Sequence, residues 1–287
     1  MGLITAVGLV LHPRRDCSTA LSTITGWARG RDVSVLGLTQ EVARLDQGTI
    51  GVDEHELVHR ADLVVSLGGD GTMLRAMRLA QGHRAAVLGV NLGRLGFLAE
   101  IDIPDLADAL SAIDDHRFTV EPRAAVRATM GDTTTTSFND VVLVRMPGRG
   151  GSAAVELQVE GHRFLRYVAD AVVVATPTGS TAYSFSAGGP IVSPRAEGLL
   201  VIPSAPHSAF NRALFLSPGE ALALHVLPTS GELAVEADGI VVGEAGPGDV
   251  IDVVMVPAAA NVVRLGRTTF YQRAQRRLGL SGSAEAD

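Results

Sequence analysis

The 287-residue chain contains no lysine: all 24 of its basic residues are arginines, set against 31 aspartates and glutamates for a formal net charge of −7. That absence removes several chemistries together. There is no amine for a Schiff base, a biotinyl group or a pyridoxal aldimine, and none to sit on a nucleotide's phosphates as a Walker lysine does. Any phosphate must be met by backbone N–H groups, arginine or a metal ion. An arginine-only composition is also what a biased genome base composition produces, so it limits mechanisms without naming one. The negative balance and the lack of a long basic block argue against nonspecific nucleic-acid binding.

Cysteine is almost absent as well. Cys17 alone cannot form an intramolecular disulfide and has no neighbour that would activate it, so it reads as a passive thiol in a reducing, cytoplasmic protein. No apolar run approaches the roughly 20 residues that span a bilayer. The opening MGLITAVGLVLHPRRD lacks a basic leader region and reads as a first strand rather than a signal peptide. Also missing are HExxH, paired-cysteine or other zinc-ligand spacing, a GxSxG elbow and the GxGxxG of dinucleotide dehydrogenases.

With 46% apolar and 19% charged residues, the chain can bury one large core or two modest ones. Its first third alternates short apolar runs with helical spacing. Strands are expected at Val7–Leu11, Val33–Leu38, Leu63–Leu67 and Ala85–Val90, and helices at Cys17–Arg29, Asp53–Arg60, Met73–Gln81 and Asp105–Ile113. That rhythm predicts βαβ units, a parallel sheet, and ligands at the carboxyl ends of its strands. From Phe118 the pattern becomes β-rich. Val155, Leu157 and Val159 alternate with polar residues before a turn at Glu160–Gly161, and Asp238–Gly239 is a hairpin signal between Leu233–Ala237 and Ile240–Val242. Asp249–Val256 and Val262–Leu265 read as two more strands, Thr133–Thr136 as a loop, and the terminal GSAEAD as disordered. The expected domains are 1–117, α/β, and 118–265, β-rich.

Four segments carry candidate chemistry. Gly68-Gly69-Asp70-Gly71-Thr72 joins a strand to a helix: the glycines let backbone approach a ligand, and the helix N-terminus attracts phosphate. Asp70 is placed to take a proton from a hydroxyl or to hold a magnesium ion bridging phosphates. Arg75 reaches back to phosphate or is a solvated helix-face arginine. Asn91-Leu92-Gly93-Arg94-Leu95-Gly96-Phe97 is a second glycine-paced loop, functional or merely structural. Asn139-Asp140 suits a diol grip but is also ordinary turn chemistry. Thr176 to Pro190 places six Ser/Thr hydroxyls within eleven residues around Tyr183, suiting ribose, amide or phosphate contacts and base stacking. Pro206-His207 and Arg212 are weaker phosphate candidates.

These segments, in this order, resemble the NAD kinase family. The resemblance rests on GGDGTMLRA at 68–76, GVNLGRLGFLAE at 89–100, FNDVVL at 138–143 and, most specifically, DAVVVATPTGSTAYSFSAGGPIVSP at 170–194. It implies a Rossmann-like α/β N-terminal domain, a β-rich C-terminal domain, and a last segment, about 266–287, returning to the first. It implies transfer of a phosphoryl group from ATP or polyphosphate, with a divalent cation such as Mg²⁺, to the 2′-hydroxyl of the adenosine ribose of NAD, in a homodimer or homotetramer. By position, Asp70 is the general base and Gly68 and Gly69 cradle phosphates. Gly71, Arg75, Asn139, Asp140, Asp170, Thr181, Ala182, Tyr183, Ser184, Phe185, Ser186 and Ala205 line the dinucleotide site. Departures from the family pattern are Ala171 after Asp170, Val168 where some members carry arginine, and Ile240 after Asp238-Gly239. They leave open a relative with another nucleotide acceptor, or an NAD(P)-binding regulator without turnover; the intact Asp70 weighs against the regulator.

Overall fold

The computed structural model describes residues 4–43, 48–93, 96–207 and 210–280. The chain divides into two compact units, Met1–Pro122 with Ala260–Asp287, and Arg123–Ala259. Arg94 and Leu95 of the second glycine loop, and the terminal GSAEAD, lie outside the described residues.

The first unit alternates as its hydrophobic rhythm predicts. Its elements are β1 (Ala6–Leu11), α1 (Ser18–Arg29), β2 (Ser34–Leu38), α2 (Thr39–Val42), β3 (Ile50–Val52), α3 (Glu54–Arg60), β4 (Leu63–Gly68), α4 (Asp70–Leu79), β5 (Ala86–Asn91), β6 (Ile101–Asp102), a 3₁₀ turn and α5 (Leu106–Asp114). β1, β4 and β5 are buried at every position, as parallel strands covered on both faces must be. They pair in parallel in the order β3-β2-β1-β4-β5, with β6 beside β5. Helices α1 and α5 place Leu21, Ile24, Leu106 and Leu110 against Leu9, Val65 and Leu88 of the strands. The ends of β4 and β5 therefore carry the GGDG turn and Asn91, the position where open α/β sheets hold ligands.

β7 (Thr119–Met130) leads into the second unit, which contains β8 (Thr133–Ser137), β9 (Asp140–Arg145), β10 (Ala153–Val159), β11 (His162–Ala169), β12 (Ala171–Ala175), a 3₁₀ turn at Thr178–Thr181, α6 (Tyr183–Ser186), β13 (Leu199–Ser204), β14 (Leu214–Leu216), β15 (Leu222–Val226), β16 (Leu233–Ala237) and β17 (Ile240–Ala245). A six-stranded antiparallel sheet runs β14-β13-β12-β9-β16-β17. One of its faces, with Val141, Leu143, Val172, Val174 and Val201, packs on Val155, Leu157, Leu224 and Val253 of a second sheet, making a sandwich. Its other face, with Val142, Val173 and Ile202, is covered by Tyr183, Ala187 and Val192. A central sheet buried on both sides fixes the Thr176–Pro190 segment from below.

β18 (Val250–Arg264) and α7 (Phe270–Leu278) complete the chain. In the second unit β18 pairs with β15, and in the first Asn261 and Val262 pair with β5. α7 starts at a capping box in which Thr269 and Gln272 bond each other's backbone. None of the described helices is long and apolar enough to cross a membrane.

Three expectations are corrected. Thr133–Thr136 is not a loop but most of β8, paired with β7 across Gly131–Asp132. Its exposed threonines hide the alternation that marks a strand, while their β-branched side chains favour one. Asp249–Val256 and Val262–Leu265 are not two strands, because β18 runs on through Pro257 and through Ala258 at φ 47°. The helix expected from Met73 starts at Asp70, so the carboxylate belongs to its first turn.

Candidate active site

In the first unit, β4 ends at Gly68 and Gly69 is the N-cap of α4, leaving Asp70 as the first helical residue. The half-buried Asp70 carboxylate accepts the backbone N–H of Phe97 at 3.1 Å on Oδ2 and of Leu98 at 3.0 Å on Oδ1. The second glycine loop is thus what orients Asp70. A Cβ at Gly96 would run into Asp70 Oδ1, so only glycine lets the loop pass this close. An ionised carboxylate has about four acceptor positions, and two remain after these bonds. By contrast, Gly69 and Gly71 have nothing within 4 Å of a would-be Cβ, so their backbone faces open space at a helix N-terminus.

Arg75 is anchored through one of its nitrogens. Its Nη2 pairs with Glu41 Oε1 at 2.5 Å and donates to the Leu11 carbonyl at 2.8 Å, tying α4 to the end of β1. Asn91 is buried, with Nδ2 donating to Gly93 O and to Asp102 Oδ1, at 3.0 and 2.7 Å. Among the described residues no group of three His, Cys, Asp or Glu side chains could hold a metal ion.

In the second unit, the Asp238–Gly239 hairpin folds onto the start of β9. Asp238 Oδ1 accepts Asn139 N at 2.7 Å, Oδ2 accepts Phe138 N at 3.3 Å, and Asp238 N donates to Asp140 O at 3.0 Å. Asp140 is 4% exposed. Burial, and then the neighbouring Asp238, push its pKa up to about 7, against a hydrogen bond from the Tyr183 backbone that lowers it. Near neutrality Asp140 therefore switches between acceptor and O–H donor. Asp238 thereby joins Asn139 and Asp140, a placement its Asp-Gly hairpin signal did not reveal.

The polar segment after β12 divides its labour. Thr176 Oγ1 donates to Phe138 O at 2.5 Å, and Ser180 Oγ bridges Val192 N and O at 3.0 and 3.2 Å. Ser184 is fully buried, with no partner for its Oγ among the described residues. The Thr176 and Ser180 hydroxyls build the turn. Thr181, Ala182 and Tyr183 are half-buried, and Phe185 and Ser186 are exposed. A Cβ at Gly179 would strike the Asn139 carbonyl oxygen, so glycine is what lets this turn lie against Asn139. Asn139, Asp140, Tyr183 and Asp238 thereby form one cluster.

Asp170 and Ala205 stand at the opposite end of the sheet. Asp140 pairs with Ala175, whereas Ala171 pairs with Val144, four residues or about 13 Å along β9. Asp170 is half-exposed and salt-bridged to Arg145 Nε at 2.6 Å. Ala205 is exposed and held at φ 48°, a left-handed conformation costly for alanine. Of the departures noted above, Ala171 is fully buried in β12 and Val168 is half-buried, while Ile240 is 55% exposed. His207 and Arg212 are exposed; Arg212 Nη1 donates to the Asn211 carbonyl at 2.8 Å.

One unit is α/β and presents a glycine turn with an oriented carboxylate; the other is a sandwich that presents the Asn139-Asp140 pair under a polar turn. Residues 19–118 match the family model described as ATP-NAD kinase N-terminal domain, and residues 138–265 that of the ATP-NAD kinase C-terminal domain. The chain belongs to the NAD kinase family. It is similar to NAD kinase 1 of Streptomyces avermitilis, 39% identical over 99% of this chain and 89% of that protein. Among solved structures it resembles yeast NADH kinase complexed with NADH, with TM-score 0.86 and 25% identity over 99% of this chain and 90% of that one. It shares its fold with an NAD kinase from Archaeoglobus fulgidus, with TM-score 0.73 and 24% identity over 96% and 97% of the two chains.

Proposed function

We propose that this protein transfers a phosphoryl group from ATP or polyphosphate to the 2′-hydroxyl of the adenosine ribose of NAD, giving NADP. The observation that supports it most directly is Asp70, held by two backbone N–H groups at the start of α4 beside the open backbone of Gly69 and Gly71. Asp70 takes the hydroxyl proton as the ribose oxygen bonds to phosphorus. The donor's bond to its leaving phosphate breaks, releasing ADP or a shortened polyphosphate. Gly68, Gly69 and Gly71 present the α4 N-terminus to the donor, so backbone dipoles replace the missing lysine. A divalent cation, if bound, would be held on the protein side by Asp70 and would supply charge neutralisation for the transfer.

The second unit, in this reading, is the dinucleotide-binding half. Asn139 and Asp140 grip the ribose diol, with Asp238 fixing the Asn139 backbone and Tyr183 offering a ring face. Thr181, Ala182, Phe185 and Ser186 lie along the same turn, with Asp170 and Ala205 serving the far end of an extended dinucleotide. Arg75 supports the glycine turn by tying α4 to the end of β1, and Ser184 lies on the α6 turn. We place the enzyme in the cytoplasm, consistent with its single buried thiol, with no nucleic-acid or membrane partner. We also propose a homodimer or homotetramer, supported by Ile240, Val241 and Val242, which are 55%, 60% and 38% exposed on edge strand β17.

The deciding experiment incubates the protein with magnesium, NAD and either ATP or polyphosphate, and measures NADP. Formation of NADP with either donor supports the reading. Turnover only on another acceptor would replace NAD as substrate, and binding of NAD without turnover on any acceptor would make the chain a regulator.

A further inference from the structure

The loop between β1 and α1 carries two arginines, Arg14 and Arg15, that have no part in the transfer described above. His12 N donates to Leu67 O at 2.8 Å, so this loop starts beside the end of β4. The His12 ring then turns the chain, its Nδ1 accepting the backbone N–H groups of Arg14 and Arg15, both at 3.1 Å. Arg15 reaches further than its neighbour strand. A Cβ at Gly93, just after β5, would stand 2.5 Å from Arg15 Nη1, so the guanidinium lies against that glycine. Adjacent strands are about 4.8 Å apart, and β4 lies between β1 and β5. The path from His12 to the Arg15 guanidinium therefore crosses the end of β4, where Gly68 opens the glycine turn.

That guanidinium is accessible and unclaimed. Arg15 is exposed, and its side chain forms no ion pair among the described residues. The carboxylates around it have other partners. Asp16, in the same loop, accepts Ser18 N and Oγ, both at 2.9 Å. Glu41 accepts Leu11 N at 2.8 Å and pairs with Arg75, and Asp70 holds the Phe97 and Leu98 N–H groups. Burial, and then Arg15, Arg14 and Arg75, keep the His12 pKa below its ordinary value, so the ring stays a neutral acceptor for the loop. The crevice outside the carboxyl ends of the strands is where open α/β sheets hold ligands. Here it presents two kinds of donor: the backbone at Gly69 and Gly71, which faces open space, and a planar guanidinium. Both suit phosphate oxygens.

We infer that Arg15 binds the phosphoanhydride chain of the phosphoryl donor, with His12 as the positioning residue that shapes its loop and Gly93 as the surface it lies on. The inference rests on phosphoryl transfer at the Gly68–Thr72 turn and adds the side chain that takes the part of the absent lysine. Contact with phosphates alone makes ATP and inorganic polyphosphate equivalent at Arg15.

The test is calorimetric titration of the full chain with inorganic tripolyphosphate and, separately, with ATP, both with magnesium and at constant ionic strength. Loss of one charged hydrogen bond predicts binding of both roughly tenfold weaker or more in Arg15→Gln. Arg14→Gln, which removes the same charge from the same loop, should stay within about threefold of wild type, as a solvent-screened charge does. Gly93→Ala changes no charge but pushes the guanidinium aside, so it too should weaken binding, and the double variant with Arg15→Gln should bind no worse than Arg15→Gln alone. Melting temperatures verify that the compared proteins are folded. Arg15→Gln within threefold of wild type overturns the inference, and so do equal losses in Arg14→Gln and Arg15→Gln, additive losses in the double variant, a loss with ATP but not tripolyphosphate, or no tripolyphosphate binding at all. No NAD is present in these titrations, so their failure leaves NAD as acceptor untouched, and a chain that binds tripolyphosphate through Arg15 without making NADP would fail only the proposed acceptor.

Discussion

Asp70 shows how a single carboxylate is prepared for work. Two backbone N–H groups fix its plane, and the sequence supplies both through a loop about twenty-seven positions away. Replacing it with asparagine keeps one acceptor oxygen but removes the base. NADP formation in Asp70→Asn should fall by about 10²–10⁴-fold, while NAD affinity by titration stays within a few-fold; retained turnover would remove Asp70 as the base. Two glycines separate packing from ligand approach. Gly179→Ala drives a methyl into the Asn139 carbonyl and should cost about 2 kcal/mol in urea unfolding. Gly71→Ala meets no protein atom, so its unfolding midpoint should hold or rise, while turnover drops as the methyl enters the space for phosphate. Unchanged turnover would mean that Gly71 does not face substrate.

At the scale of elements, the apolar runs Val7–Leu11, Leu63–Leu67 and Ala85–Val90 revealed their strands because strands buried on both faces must be apolar throughout. β8 escaped because a solvent-facing strand of four threonines carries no such pattern, and the junction within β18 because its partners change along its length. The return of the chain's last segment to the first unit depends on a buried charge cluster. Glu100, its side chain 1% exposed, accepts from Arg264 and Arg273, and Arg264 also reaches Glu121 at 3.2 Å. Glu100→Gln leaves two guanidiniums short of charge and should destabilise the protein by about 3 kcal/mol. A melting temperature equal to the wild type would show that the cluster is not what holds β18 and α7.

For the molecule as a whole, Asp140 predicts an unusual pH response. Its folded pKa, about 7, lies above the ordinary value of 3.8, so between these values the folded state binds more proton than the unfolded. Its contribution therefore falls as pH rises through that window, by as much as about 4 kcal/mol, and levels off above it. Relative to Asp140→Asn, wild-type protein should lose melting temperature between about pH 4 and pH 7. Parallel profiles in the two proteins would refute the raised pKa.

The sequence by itself determined the two-unit α/β and β-rich plan, the glycine turn with its aspartate, the exclusion of lysine chemistry, and the family. Each of these is written in local pattern, whether hydrophobic period, turn residue or motif order. Tertiary structure decided which polar residues remain free. Thr176 and Ser180 have the chemistry of ligand contacts but are spent on Phe138 and Val192, and Arg75 gives its Nη2 to Glu41. Asp238, read as half of a hairpin, becomes the group that fixes Asn139 and adds to burial in raising the pKa of Asp140. A donor or acceptor is available only if no neighbour has claimed it, and those neighbours are brought together by the fold from distant parts of the chain.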